Sequence, residues 1–262
     1  MIQILLKVLR DYGNWERGPR WSLILAASAL IGCLILIVFG PLELRLAAVI
    51  GAFGALVVLQ AAILYGYRHM VNDYALAQQA YLRADYGETV RLMEARRAAG
   101  KARWRELTLL SNAYRHLGRL DEALDAVHAA LVFAPDDAFP LYACGRTLLE
   151  RGDFAEAADV LKRALAAGAP PETALDLADA RHRAGDDEGA RAALGSLETL
   201  PPPDEPARVL LLAVLRWRVL ASEPPAPDVI SAGADDWLAL EARCGNSAYA
   251  EALAADRAAF TA

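Results

Sequence analysis

The chain has 262 residues, a formal net charge of −6 and a mean hydropathy of +0.22. The charge is split: Arg68 to Arg119 carries 10 basic and 5 acidic residues, whereas Leu120 to Ala262 carries 12 basic and 25 acidic ones, which argues against a nucleic-acid partner because such a partner needs a basic surface. Three scattered cysteines form no Cys-x-x-Cys, four histidines lack metal-type spacing, and no phosphate-binding glycine loop or nucleophile motif appears; no catalytic residue, metal, cofactor or small-molecule substrate is expected.

Residues 1–20 open with an amphipathic pattern. Ile2, Leu5, Leu6 and Leu9 share one face; Gln3, Lys7 and Arg10 share the other. With Trp15 and Trp21 nearby, this predicts an interfacial helix in the headgroup layer. Residues 21–67 then read as a two-span transmembrane hairpin. Trp21 to Gly40 has only Ser22 and Ser28 as polar members, and Leu46 to Tyr67 has only Gln60 as a strongly polar one. Each is long enough to cross a hydrocarbon layer of ~30 Å. The alternative, two core helices of a soluble protein, fits poorly with helices apolar all round.

Pro41 to Arg45 is so short a joint that the spans must be antiparallel. Ser28 and Gly32 in the first span, and Ala47, Gly51 and Ala55 in the second, are small residues spaced for close helix contact. Lys7, Arg10, Arg17 and Arg20 precede the first span and Arg68 and Arg83 follow the second, while Arg45 alone lies in the turn. This bias predicts a cell (inner) membrane protein with both ends cytoplasmic. No proline or glycine lies between Tyr67 and Ala84, so the second span is expected to continue unbroken into the next helix.

Residues 68–203 contain a repeat. Ala84-Asp-Tyr-Gly-Glu-Thr, Gly118-Arg-Leu-Asp-Glu-Ala, Gly152-Asp-Phe-Ala-Glu-Ala and Gly185-Asp-Asp-Glu-Gly-Ala follow one another at steps of 34, 34 and 33 residues. Such a period with helical patterning on each side marks stacked helix pairs. In the copy at Gly118, a first helix from about Trp104 to Leu117 carries Leu107, Leu110, Ser111 and Tyr114. Gly118 ends it. Asp121 and Glu122 open a second helix, Ala123, Val127, Ala130 and Leu131 stripe it, and Pro135 stops it.

This pattern resembles the tetratricopeptide repeat (TPR) family, in the membrane-anchored bacterial form. The matching blocks are Leu107-x2-Leu110-Ser111-x2-Tyr114 with Ala123-x3-Val127, Ala130 and Pro135; Leu141, Cys144, Gly145 and Leu148 with Ala157-x3-Leu161 and Ala164, and Pro170 one place late; and Ala174, Leu177, Ala178 and Arg181 with Ala190-x3-Leu194 and Pro202. In the first copy Leu76, Ala77, Ala80 and Met93 fit, whereas Asp73, Thr89 and Arg96 do not. The resemblance implies an α-solenoid whose first helices line a concave groove for a peptide or partner protein. Carried onto this chain, the partner-binding set is Arg105, Asn112, Arg115, Phe139, Tyr142, Arg146 and Asp179, with Thr108, Glu172 and Leu175 alongside. Arg115 and Arg146 are expected to flank Tyr142 as an exposed basic pair that holds an acidic peptide and tolerates replacement by glutamate.

Residues 204–262 read as C-terminal capping helices. Ala207 to Ala221 is apolar but interrupted by Arg208, Arg216 and Arg218; Pro224 to Pro227 is a stiff link; Trp237, Leu238 and Leu240 are placed to pack with Tyr249 and Leu253. The chain is therefore expected to be all-α: a transmembrane helical hairpin, a TPR-like array and a divergent capping pair. The implied role is a membrane-anchored scaffold or adaptor for a protein or peptide partner; the alternative is an accessory subunit of an inner-membrane enzyme or transport complex.

Overall fold

A computed structural model describes residues 17–70, 72–197 and 205–260, and every regular element among them is a helix. Two compact units result, Met1–Leu76 and Ala77–Ala262. The expected interfacial helix at residues 2–11 lies outside the described residues. So does Val71, on which continuity between the second span and the next helix turns.

The first unit is built on a hairpin of α1 (Arg17–Phe39) and α2 (Leu42–Met70). Its segments Trp21–Phe39 and Leu42–Tyr65 are long and apolar enough to cross a membrane. The covered positions include Leu23, Ala26, Leu30, Cys33 and Ile37 on α1, and Ala48, Ala52, Ala55, Leu59 and Ala62 on α2. Their alternation of three and four residues keeps one seam facing the partner helix along its length. A Cβ added at Gly51 would come within 3.1 Å of Cys33 Sγ, so the Cys33 side chain lies against the Gly51 backbone. The seam corrects part of the expected contact: Ser28 and Ala47 are exposed, and a Cβ added at Gly32 would meet nothing within 4 Å. A strict four-residue step drifts around a helix, which is why that set does not stay in register. Large side chains such as Leu25, Ile31, Ile50 and Phe53 point outward and are exposed.

The second unit, which starts at Ala77 within α3 (Asn72–Leu82), is built of helix pairs. α3 precedes α4 (Tyr86–Ala98); then come α5 (Trp104–His116) with α6 (Leu120–Phe133), α7 (Ala138–Arg151) with α8 (Phe154–Ala166), and α9 (Thr173–Arg183) with α10 (Asp187–Gly195). Each turn inside a pair closes with the same backbone bond. Asp85, Arg119, Asp153 and Asp186 donate their N–H to the carbonyls of Ala80, Tyr114, Leu148 and Arg181, at 2.8–3.0 Å. This closure needs a left-handed residue. Gly118, Gly152 and Gly185 supply it, and in the first copy Ala84 takes it at φ 59°.

The stripe residues make the core. Ala123, Val127, Ala130, Ala157, Leu161, Ala164 and Ala190 are wholly buried. A Cβ on Gly145 would sit 2.6 Å from Leu161 Cγ, which is why only a small residue fits that crossing. Thr89 stands where later copies have alanine. It is buried too, and its hydroxyl donates to the Ala77 carbonyl at 3.2 Å.

The tail comprises α11 (Pro206–Leu220), α12 (Pro227–Cys244) and α13 (Ala248–Phe260). α11 packs on α9 and α10, as expected of a cap. The pair α12–α13 goes further and returns along the array until α13 meets α7. Trp237 is buried and donates from Nε1 to the Leu253 carbonyl at 3.2 Å, with Tyr249 and Leu253 in the same core. Leu238 does not join it and is exposed.

Candidate functional site

The first helices α5, α7 and α9 present one face, and its residues divide into two groups. In the first group, Arg105 lies over the Trp104 ring at 4.9 Å and is exposed; Phe139 is 45% exposed; Asn112 and Tyr142 are half-buried. Arg105 and Phe139 are 34 residues apart, so they hold equivalent places in successive repeats. In the second group, the side chains are buried or engaged by other parts of the chain. Thr108 and Leu175 are buried, and the Thr108 hydroxyl bonds back to the Trp104 carbonyl at 2.7 Å.

The expectation of an exposed basic pair is corrected here. Arg115 is 7% exposed and donates to Glu150, a carboxylate 1% exposed near the end of α7. Arg146 reaches Asp176 at 3.3 Å, Glu150 at 3.5 Å and the Tyr142 hydroxyl at 3.2 Å. Tyr142 in turn donates to Asp176 at 3.1 Å. The tail adds its own guanidiniums. Arg243 of α12 forks onto Glu150 at 3.1 and 3.3 Å, and Arg208 of α11 forks onto Asp176 at 3.3 Å. Glutamate at position 115 would set a second carboxylate against Glu150 in the interior, so the pair does not tolerate that exchange.

A second network lies beside the first. Asp179, wholly buried, accepts from Arg183 at 3.0 Å and from the Tyr249 hydroxyl of α13 at 2.6 Å. Arg183 also meets Asp256 at 2.7 Å, and Arg218 meets the same carboxylate at 3.2 Å. The backbone approaches as closely as the side chains. A Cβ on Gly118 would stand 2.6 Å from the Arg243 carbonyl, and one on Gly152 would stand 2.8 Å from Ala248 Cβ.

These contacts set the ionisation of the face. Burial works to raise the Glu150 carboxyl, but Arg115, Arg243 and Arg146 outweigh it and hold it at about 2. Burial and the neighbouring Arg115 and Arg243 push His116 down to about 3, so its ring is neutral. That ring stacks on Tyr86 with centroids 4.4 Å apart and meets Tyr81 edge-on at 5.6 Å. Burial, with Asp179 next, raises the Tyr249 phenol well above its ordinary value.

Between this face and the tail lies a cavity of about 340 Å³, lined by the four arginines and both carboxylates of the first network. Glu150, Asp176, Arg208 and Arg243 are the residues that repeat reasoning passed over. The available signal was Arg208 itself, an arginine that interrupts an apolar helix and so demands a buried partner.

No protein-family model matches the chain, and no curated protein matches it. Solved structures do. MamA RS-1, as its ArsTM double mutant, is 18% identical with a TM-score of 0.49, covering 65% of this chain and 92% of its own. MamA MSR-1 C2 is 18% identical with a TM-score of 0.48, covering 66% and 97%. A thermophilic TPR protein of Thermus thermophilus is 23% identical with a TM-score of 0.45, covering 68% and 95%. Helix pair stacked on helix pair, each closed by the same left-handed turn, gives this chain a TPR-like all-α fold.

Proposed function

We propose that the chain is a membrane-anchored scaffold, its hairpin in the cell membrane and its repeat array on the cytoplasmic side holding a partner protein. The observation that carries this reading is the open half of the first-helix face. Phe139 exposes an aromatic ring there, with Arg105 at the equivalent place one repeat earlier and Asn112 and Tyr142 on neighbouring turns. Exposed aromatic and arginine side chains on one face are the chemistry of a protein-binding hot spot. Arg115, Arg146 and Asp179 hold carboxylates, an arginine or the tail, and the Tyr142 hydroxyl is held by Asp176 and Arg146, so the partner-facing set narrows to Arg105, Asn112, Phe139 and the ring of Tyr142. The apolar outer face of the hairpin supports anchoring, because water disfavours so continuous a patch.

Three experiments test the reading. Photo-crosslinking from position 139 in intact membranes should capture a protein, and Arg105→Glu with Phe139→Ala should lose it while the array stays folded. Retention at wild-type yield would rule out this face. Replacing α1–α2 with an unrelated anchor should preserve the captured species; its loss would make the chain an accessory subunit working through bilayer contacts. Protease added outside spheroplasts should leave the array whole, and digestion there would reverse the orientation.

A further inference from the structure

The cavity behind the tail has a charge arrangement that docking of the tail does not require. One guanidinium would satisfy each interior carboxylate. Instead four converge from four helices: Arg115 of α5, Arg146 of α7, Arg208 of α11 and Arg243 of α12, against Glu150 and Asp176. Glu205 and Asp236 also line the cavity, but they stand at its exposed rim, where solvent screens them. His116 is neutral and adds no charge. Away from that rim the lining sets four guanidiniums against two carboxylates. Arg115 is more than nine-tenths buried, and its Nε has no acceptor among the described residues. Arg146 reaches its second carboxylate only at 3.5 Å. Arg208 uses its terminal nitrogens on Asp176 and on the Glu172 carbonyl at 3.0 Å, so an added planar anion would share those donors with them.

The opposite wall is apolar. Leu211, Trp237, Leu240 and Leu253 line it, and about 340 Å³ is at the small end of ligand-binding cavities. We propose that this cavity binds a small free carboxylic acid, its carboxylate against Arg146 and Arg208 and its short branched apolar body against Leu211 and Leu240. The ligand would add a carboxylate to that set and bridge the first-helix face to the tail. This goes beyond the scaffold reading and stands without it, since it concerns the cleft behind the tail and not the open face.

The test is isothermal titration calorimetry on the full chain in detergent, with 3-methylbutanoate as probe and 3-methylbutanamide and inorganic phosphate as controls. The acid should bind saturably, and the isosteric neutral amide should show no binding. Arg208→Met should weaken the acid at least tenfold; Asp176 keeps Arg146 and Tyr142, so the fold survives. Leu240→Trp, at a half-exposed position, fills the cavity without changing charge and should abolish binding with the melting temperature unchanged. Equal heats from acid and amide, phosphate binding in place of the acid, or full binding by Leu240→Trp would each overturn the proposal.

Discussion

At the scale of single residues, Ala84 carries the clearest strain. It holds the left-handed turn that glycine holds in the other three copies, at φ 59°. A side chain in that region costs roughly 1–2 kcal/mol. Ala84→Gly should therefore stabilise the array by about 1 kcal/mol, read as a rise in melting temperature; no rise would mean that the turn is not under strain. Glu150 is the opposite case. Removing its charge by Glu150→Gln leaves Arg115, Arg146 and Arg243 facing a neutral amide, and loss of a buried pair costs ~3–5 kcal/mol. Its carboxyl is held below its unfolded value, so its contribution is present above pH ~4.5 and is lost as pH falls toward about 2. His116 acts earlier in an acid titration. Its folded value of about 3 lies below the unfolded 6.5, so the unfolded chain takes up the proton first and stability declines as pH falls from 6.5 toward 3. Melting temperature against pH should show that decline, and His116→Phe, which keeps a ring beside Tyr86, should remove the part above pH ~5. An unchanged profile in the variant would assign the decline to other groups.

At the scale of elements, the repeat was legible because each of its marks answers a local backbone need. Gly118, Gly152 and Gly185 end helices in the left-handed region, and Ala123, Ala157 and Ala190 sit where helices cross. These needs recur every turn of the solenoid, so they appear as a period. The burial of Arg115 was not legible, because an arginine on a helix face reads as solvated unless its carboxylate is known, and Glu150 is 35 residues away. The return of α12–α13 was hidden for the same reason. The Arg243–Glu150 pair spans 93 residues and belongs to no repeat. Two glycines separate the local need from the long-range one. Gly152 and Gly185 are both left-handed, but a Cβ on Gly185 meets nothing within 4 Å, whereas one on Gly152 strikes Ala248. Gly185→Ala should cost about 1 kcal/mol for backbone alone. Gly152→Ala should cost more and should speed amide hydrogen exchange in α13. Equal costs, with α13 protection unchanged, would mean that the tail is not seated on that turn.

At the scale of the whole molecule, an array of this kind normally loses structure from its ends, since each repeat touches only its neighbours. Here α11–α13 tie α7 to α9 through Glu150, Asp176, Asp179 and Asp256. Exchange should therefore find α5 through α13 opening together, with α4 outside that block and less protected. Graded protection falling smoothly toward α13 would show that the tail adds no cooperativity. The same brace has a consequence in the order of synthesis. Glu150 leaves the ribosome 93 residues ahead of Arg243, which at ~5–20 residues per second is an interval of roughly 5–20 s. Throughout that interval the nascent array must stand on its repeat core alone, with Gly118 and Gly152 uncovered and the face of α7 open to its surroundings.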